Sequence, residues 1–285
     1  MASSTNDDVT PVLYAQANGL FRAAGIDVEI QAVNNGAAVA AAVAGGAADL
    51  GRSSMLPLIS AHSRGIPLTL VAPSGVFVSA EPTSGILVVK DGPIRTARDL
   101  NGKIVSVPGL NDVLSVATRA WIDKNGGDSE SIRFVETTGS QVSVALDAAR
   151  VAAGTVVNPQ MAQSLTTGRY RLLGDAVTGI ATRFLQAAWF ADADYVAKHG
   201  ATIRKFSAII QKASAYCNLH TQQTIDLLSR FSGIDVATIA HMARTKYDLT
   251  LDPSDIQPLI DAAAKYKAIP KSFDAREMIS EYAVK

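Results

Sequence analysis

Between Pro11 and Pro73 the chain repeats one physical unit, an amphipathic or apolar segment closed by a glycine turn, and this rhythm limits the folds open to it more than any other feature. Thr10-Pro11 followed by Val12, Leu13, Ala15, Ala17, Leu20 and Phe21 predicts a capped helix, with Pro11 in the first turn and Gly25 ending it. Ile26 to Ile30 alternates apolar and polar residues as a strand does, and Ala37 to Ala44 reads as a helix stopped by Gly45-Gly46. Asp49-Leu50-Gly51 reads as a short strand end, Met55 to His62 as a helix, and Leu68 to Ala72 as a buried strand broken at Pro73. A β-α alternation of this kind favours a parallel sheet that offers polar loops at one edge, an arrangement suited to binding.

A second unit follows. Ile86 to Lys90 predicts an apolar strand and Thr96 caps a short helix ending near Asn101-Gly102. Further strands are expected at Ile104 to Val107, Arg133 to Thr137, Val151 to Val157 and Arg171 to Leu173. Helices are expected at Asp112 to Asn125, Gln141 to Arg150 and Pro159 to Thr166. After a strand at Ala187 to Ala191, the stretch from Tyr195 to Ala283 reads as almost wholly helical, broken at Gly200, His220, Gly233, Pro253 and Pro270. Those helices need a sheet to cover, and the first unit is short of helices. The expected division is therefore 1–85 with 190–285 as one lobe and 86–189 as the other, with crossings near 83–88 and 186–190.

Composition narrows the function. Lys plus Arg and Asp plus Glu are 26 each, so no positive field is in surplus for nucleic acid or an acidic membrane surface. The hydrophobic fraction of 48% with few aromatics fits buried parallel strands. Cys217 is the single cysteine, so neither an intramolecular disulfide nor a multi-cysteine zinc site can form. Met1 to Asp8 has neither the basic end nor the apolar core of a signal peptide, and no stretch approaches the roughly 20 apolar residues of a membrane helix. A soluble chain is expected, either cytosolic or with its leader removed.

Catalytic signatures are sparse. The sequence contains no GxSxG, SxxK, HExxH, Walker or GxGxxG motif. His62, His199, His220 and His241 have no metal-ligating partner at helical spacing, and Cys217 sits inside a helical pattern as a small apolar residue. The polar residues at strand-to-helix junctions say more, because open α/β sheets bind ligands beyond the carboxyl ends of their strands. Four loops qualify: Ser4 to Asp8, carrying Asn6, Asp7 and Asp8; Ser53-Ser54; Pro108 to Asp112, carrying Leu110 and Asn111; and Asn158. Each is equally readable as a ligand contact or a helix cap. Arg52 has two readings, pairing with an anionic ligand or extending to solvent, and Trp189 has two, stacking on a flat ligand or packing in the core.

The runs Thr10 to Phe21, Gly25-Ile26-Asp27-Val28-Glu29, Gly45 to Gly51 and Arg64-Gly65-Ile66-Pro67 resemble the solute-binding components of ABC importers. The likeness is to the NMT1/THI5-like group of sulfonate, nitrate and taurine type, and it extends more weakly through Asp99-Leu100-Asn101-Gly102-Lys103 into the helical region. The resemblance implies a periplasmic-binding-protein-like type II α/β fold, two lobes joined by two crossover strands and closing as a Venus flytrap. It implies a non-enzymatic, periplasmic monomer without cofactor. Such a protein delivers a small organic ligand (sulfonate, carboxylate, aromatic or pyrimidine-like) to a membrane permease. Ligand contacts would fall on Asn6 to Asp8, Ser53, Ser54, Ser74, Leu110, Asn111 and Asn158. Leu110 and Trp189 favour an organic ligand over nitrate. The alternatives on the same fold are a pyrimidine-precursor synthase, disfavoured by the single cysteine, and a sensory ligand-binding domain. Two departures from the family pattern stand out. Only Met1 to Ser3 precede the first polar loop, where a strand inside the sheet is expected, and Ala149-Arg150-Val151-Ala152-Ala153 replaces Gly-x-Val-Asp-Ala.

Overall fold

The computed structural model describes residues 1–33, 35–78 and 82–284. The first part of the chain runs β1 (Ala2–Ser3), α1 (Thr10–Ala17), α2 (Leu20–Ala23), β2 (Gln31–Ala32), α3 (Gly36–Ala44), β3 (Gly51–Ser54), α4 (Met55–Ser63), β4 (Leu68–Pro73) and β5 (Gly75–Val78). The middle runs β6 (Ser84–Val89), β7 (Ile104–Val107), α5 (Val113–Lys124), β8 (Arg133–Glu136), α6 (Gly139–Asp147), β9 (Ala153–Val157), α7 (Gln160–Thr166) and β10 (Tyr170–Gly174). The last part holds β11 (Arg183–Leu185), β12 (Ala187–Asp192), α8 (Ala193–Leu219), α9 (Ile225–Ser232), α10 (Val236–His241), β13 (Lys246–Tyr247) and α11 (Pro253–Lys265).

The chain divides into two compact units. One comprises Met1–Val78, Arg183–Ala240 and Thr245–Lys285, the other Ser79–Thr182 and His241–Arg244. These limits stand seven residues before the crossing points expected at 85/86 and 189/190. The reason is a pairing invisible in the hydrophobic pattern: β5 and β11 lie antiparallel, Val78 opposite Arg183, and β13 joins their sheet. That pairing keeps both segments in the first unit. It also draws one two-residue strand, β13, from the tail after Tyr195 that reads as almost wholly helical.

In the first unit the main sheet has the order β2-β1-β3-β12-β4. The strand expected before Ser4 is present as Ala2–Ser3, buried between β2 and β3 and parallel to both. Because β1 is so short, it fixes where its neighbour can pair. Met1 and Ser3 carbonyls accept from Gln31 and Val33, at 2.9 Å each, so the strand forms at Gln31–Ala32 and not over Ile26 to Ile30. The helix expected to run to Gly25 is likewise interrupted: Asn18 closes α1, and Gly19 at φ +69 restarts the chain as α2. The long α8 kinks at His199 (φ −122, ψ 24), one residue before the break expected at Gly200. This helix packs on α1 and β4, and its Phe206 meets the rings of Phe21 in α2 and Trp189 in β12 at centroid distances of 5.9 and 5.5 Å.

The second unit is a sheet of order β10-β6-β9-β7-β8, with β7, β8 and β9 parallel and β6 antiparallel to both its neighbours, β9 and β10. Strand β6 shows why it needs covering on both faces. Ile86 and Val88 enter one core with Val105 and, from α5, Ala117, Trp121 and Ile122, while Leu87 enters another with Val142 and Leu146 of α6 and Met161 of α7. Each such fully buried side chain contributes about 1.5–3 kcal/mol. The expected elements here sit within a few residues of those observed. Where the family pattern would place glycine, Ala149 takes the left-handed conformation (φ 52) and ends α6. Arg150 N–H donates to the Ala145 carbonyl at 2.9 Å and Ala149 N–H to that of Leu146 at 3.0 Å. Among the described residues no helix is long and apolar enough to cross a membrane.

Candidate functional site

In the first unit β12 runs antiparallel to both β3 and β4, so β1, β3 and β4 point the same way and end at one edge. The loops leaving that edge are Ser4 to Asp8, Ser53-Ser54 and Ser74. The structure therefore brings together Asn6, Asp7, Asp8, Ser53, Ser54 and Ser74 at one sheet edge, as the strand-end argument expects.

Their polar groups are largely spent on one another. Arg52, 1% exposed, neither reaches solvent nor stands free for an anion, which corrects both readings of it. Its Nε donates to Ser3 Oγ at 2.9 Å, and its terminal nitrogens bond Ser4 Oγ and the Asp8 carboxylate. Ser74 Oγ donates to the Asp8 carbonyl at 2.8 Å. Burial pushes the Asp8 carboxyl above the usual range, with Arg52 opposing that shift, and Asp8 Oδ1 is buried without a hydrogen-bond partner. Asp7 is tied as firmly: its carboxylate accepts from the Thr245 N–H at 2.7 Å and the Thr10 hydroxyl at 3.0 Å, and its carbonyl from the Tyr247 hydroxyl at 3.0 Å. Asn6 starts the short turn Asp7–Val9 with no side-chain capping bond.

Ser53 is buried and its hydroxyl donates to the Ser54 carbonyl at 3.0 Å. The start of α3 lies so close that a Cβ on Gly36 would stand 2.4 Å from Ser53 Oγ and 3.2 Å from Ser54 N, so only glycine fits there. Ser54 precedes α4 without a side-chain capping bond. Trp189 is not at a loop tip. It lies in β12 opposite Arg52 and Ala72, 1% exposed, edge-on to Phe206, so its ring belongs to the core and the stacking role is corrected.

In the second unit the parallel strands β7, β9 and β8 present Pro108 to Asp112, Asn158 and Thr137 to Ser140 at one edge. Asp112 caps α5, accepting from Leu114 N–H at 3.0 Å. That leaves Leu110, 50% exposed, and the exposed Asn111 at the tip. The loop is braced by Glu136, whose carboxylate accepts from the Leu110 N–H at 2.8 Å. Asn158 stands apart from them in character: it is 4% exposed, its Nδ2 donates to the Ala243 carbonyl at 2.8 Å and its Oδ1 accepts from Ala162 N–H at 3.2 Å. It caps α7 and holds the 241–244 segment.

Sequence reading missed Glu136, Thr245 and Tyr247. The last two sit in a β-branched and aromatic run, Thr245-Lys246-Tyr247, between helices, which is the signal that could have found β13. Among the described residues no three His, Cys, Asp or Glu side chains are grouped to hold a metal ion.

A family model described as NMT1/THI5 like matches residues 6–224. The chain belongs to that family. A curated relative, the putative aliphatic sulfonates-binding protein of Escherichia coli, is 26% identical over 244 residues, 82% of this chain and 73% of the relative. The NMT1/THI5-like likeness to an enzyme is narrower: the 4-amino-5-hydroxymethyl-2-methylpyrimidine phosphate synthase of Schizosaccharomyces pombe is 30% identical over 99 residues, 35% of this chain and 28% of that protein. Among solved structures, the periplasmic aliphatic sulphonate binding protein SsuA from Escherichia coli superposes with a TM-score of 0.80 at 21% identity, covering 98% of this chain and 91% of that one. The NMT1/THI5-like chain thus has the α/β fold of the periplasmic binding proteins.

Proposed function

We propose that this NMT1/THI5-like chain is the solute-capturing component of an ABC importer. In this reading it works outside the cytoplasmic membrane as a monomer, captures a small organic ligand and passes it to a permease. The observation that carries the reading is the likeness to an aliphatic sulfonates-binding protein over 82% of the chain, against 35% for the synthase. The two sheet edges support it, since each gathers loops beyond the carboxyl ends of parallel strands, where α/β proteins take their ligands. The first unit supplies a pre-organised polar wall from Asn6 to Asp8, Ser53, Ser54 and Ser74. The second supplies the apolar Leu110 and the amide of Asn111, a pairing suited to an organic molecule with a polar end.

Thermal unfolding with a panel of alkanesulfonates, carboxylates, aromatic acids, pyrimidines and nitrate tests it. A ligand held by the folded state alone stabilises by about 2.7 kcal/mol at a hundredfold excess over Kd. A rise in Tm with one class, without consumption of the compound, is the expected result. No shift across the panel sinks the proposal, and turnover of a bound pyrimidine would replace it with the enzyme reading.

A further inference from the structure

The second unit carries a separate cleft of about 400 Å³ whose walls include Val89, Ile104, Leu146 and Val151 and whose remaining lining brings in Lys103 and Arg150. Its position is fixed by strand direction. Ile104 begins β7, Val151 precedes β9, and Val89 ends β6, which runs antiparallel to β9. The cleft therefore opens at the sheet edge opposite Leu110, Asn111 and Asn158, and it is independent of the site assigned to the transported ligand.

Its chemistry is one-sided. In a chain of zero formal charge, the lining holds two cations and no carboxylate. Lys103 and Arg150 form no ion pair among the described residues, whereas the nearby Asp147 is already engaged by Arg169 at 2.8 Å and by the Tyr170 hydroxyl at 2.7 Å. The volume falls within the range of about 300–1,000 Å³ typical of small-molecule sites, which are mostly apolar with a few polar anchors. The wall is also rigidly placed. Ala152 N–H donates to the Ile104 carbonyl at 2.8 Å, and the turn through Ala149 and Arg150 is closed by the two hydrogen bonds that end α6.

We propose that this cleft binds a small amphipathic anion, its hydrocarbon part against Val89, Ile104, Leu146 and Val151 and its head group between Lys103 and Arg150. An apolar floor beside two unneutralised cations disfavours a purely polar anion, which would gain nothing from the floor, and an organic cation, which the charges repel.

Titrating the full-length, methyl-labelled protein with octanoate tests the assignment by NMR, with octan-1-ol and octylammonium as comparators. Octanoate is expected to shift the methyl resonances of Val89, Ile104, Leu146 and Val151 saturably, and the surface double variant Lys103→Ala/Arg150→Ala to weaken this by about tenfold or more. Leu110, at the other edge, reports any binding at the transport site separately. The proposal fails if these four residues do not respond, if octan-1-ol matches octanoate at them, or if the double variant binds octanoate unchanged with its native spectrum intact.

Discussion

The two sheet edges proposed to face the ligand are built in opposite ways. In the first unit Arg52, Asp8, Asp7, Ser3, Ser4 and Ser74 form one largely buried network, its polar groups committed to neighbours except for Asp8 Oδ1. In the second, Leu110 and Asn111 are exposed at the tip, and the backbone of their loop is held by Glu136. The difference teaches that polar residues at strand ends are not interchangeable evidence of a binding site. One edge spends most of its polarity on joining four segments of chain, residues 3–10, 52, 74 and 245–247, and the other presents an exposed apolar side chain at its tip.

The sharpest way to break that contrast is at Arg52. Arg52→Met leaves the mostly buried Asp8 carboxylate without its counter-charge, and unfolding in urea is expected to show a loss of about 3–5 kcal/mol. Asp8→Leu added to it is expected to recover much of the loss, because no buried charge then remains. The pH dependence follows from Asp8 as well. Its folded-state pKa lies above the unfolded value, so the folded protein holds the extra proton and stability falls as pH rises from about 3.8 through the raised pKa. Asp8→Asn should flatten that part of the profile; an unchanged profile would remove Asp8 from the network's energetics.

Asp7→Ala is the next largest effect. It strands the Thr245 N–H and removes an acceptor of the Thr10 hydroxyl, at an expected cost of about 1–3 kcal/mol. Leu110→Ala and Asn111→Ala are the contrasting experiment in the other unit. As exposed changes they should move stability by no more than about 0.5 kcal/mol, while weakening whichever ligand raises Tm in the panel. Equal stability losses at Asp7 and Leu110 would erase the distinction between the two edges.

How much of this was legible in the sequence depends on the range of the interaction involved. The glycine-punctuated helices and the apolar strands of the second unit were readable because local pattern decides them, as with Ile104 to Val107, which forms over those same residues. Arg52 was unreadable because its partners are 44 to 49 positions away, and nothing local separates a buried guanidinium from a solvated one. The strands β5, β11 and β13 were missed for a related reason: they are two to four residues long and exist through one another. Trp189 shows the limit from the other side. Its position at the crossing suggested a stacking surface, but the side of β12 it occupies is set by register against Arg52 and Ala72.

The smallest expected effect concerns a feature the two units share. Each ends a helix with a non-glycine residue in the left-handed region, Ala149 at φ 52 after α6 and Lys267 at φ 58 after α11. The hydrogen bonding is the same in kind: Ala268 N–H reaches the Ala263 carbonyl at 2.8 Å as Arg150 N–H reaches that of Ala145 at 2.9 Å. A side chain in this conformation costs about 1–2 kcal/mol. Glycine removes that cost but gives back about 0.5–1 kcal/mol through the entropy of the unfolded chain. Ala149→Gly and Lys267→Gly should therefore each stabilise, by about 0.5 kcal/mol, read as a small rise in the urea midpoint at constant m-value. If Lys267→Gly stabilises and Ala149→Gly does not, the cap of α6 is held by more than its own hydrogen bonds, and the coupling of Ala149, which borders the cleft, to Arg150 is the interaction to examine by double-mutant cycle.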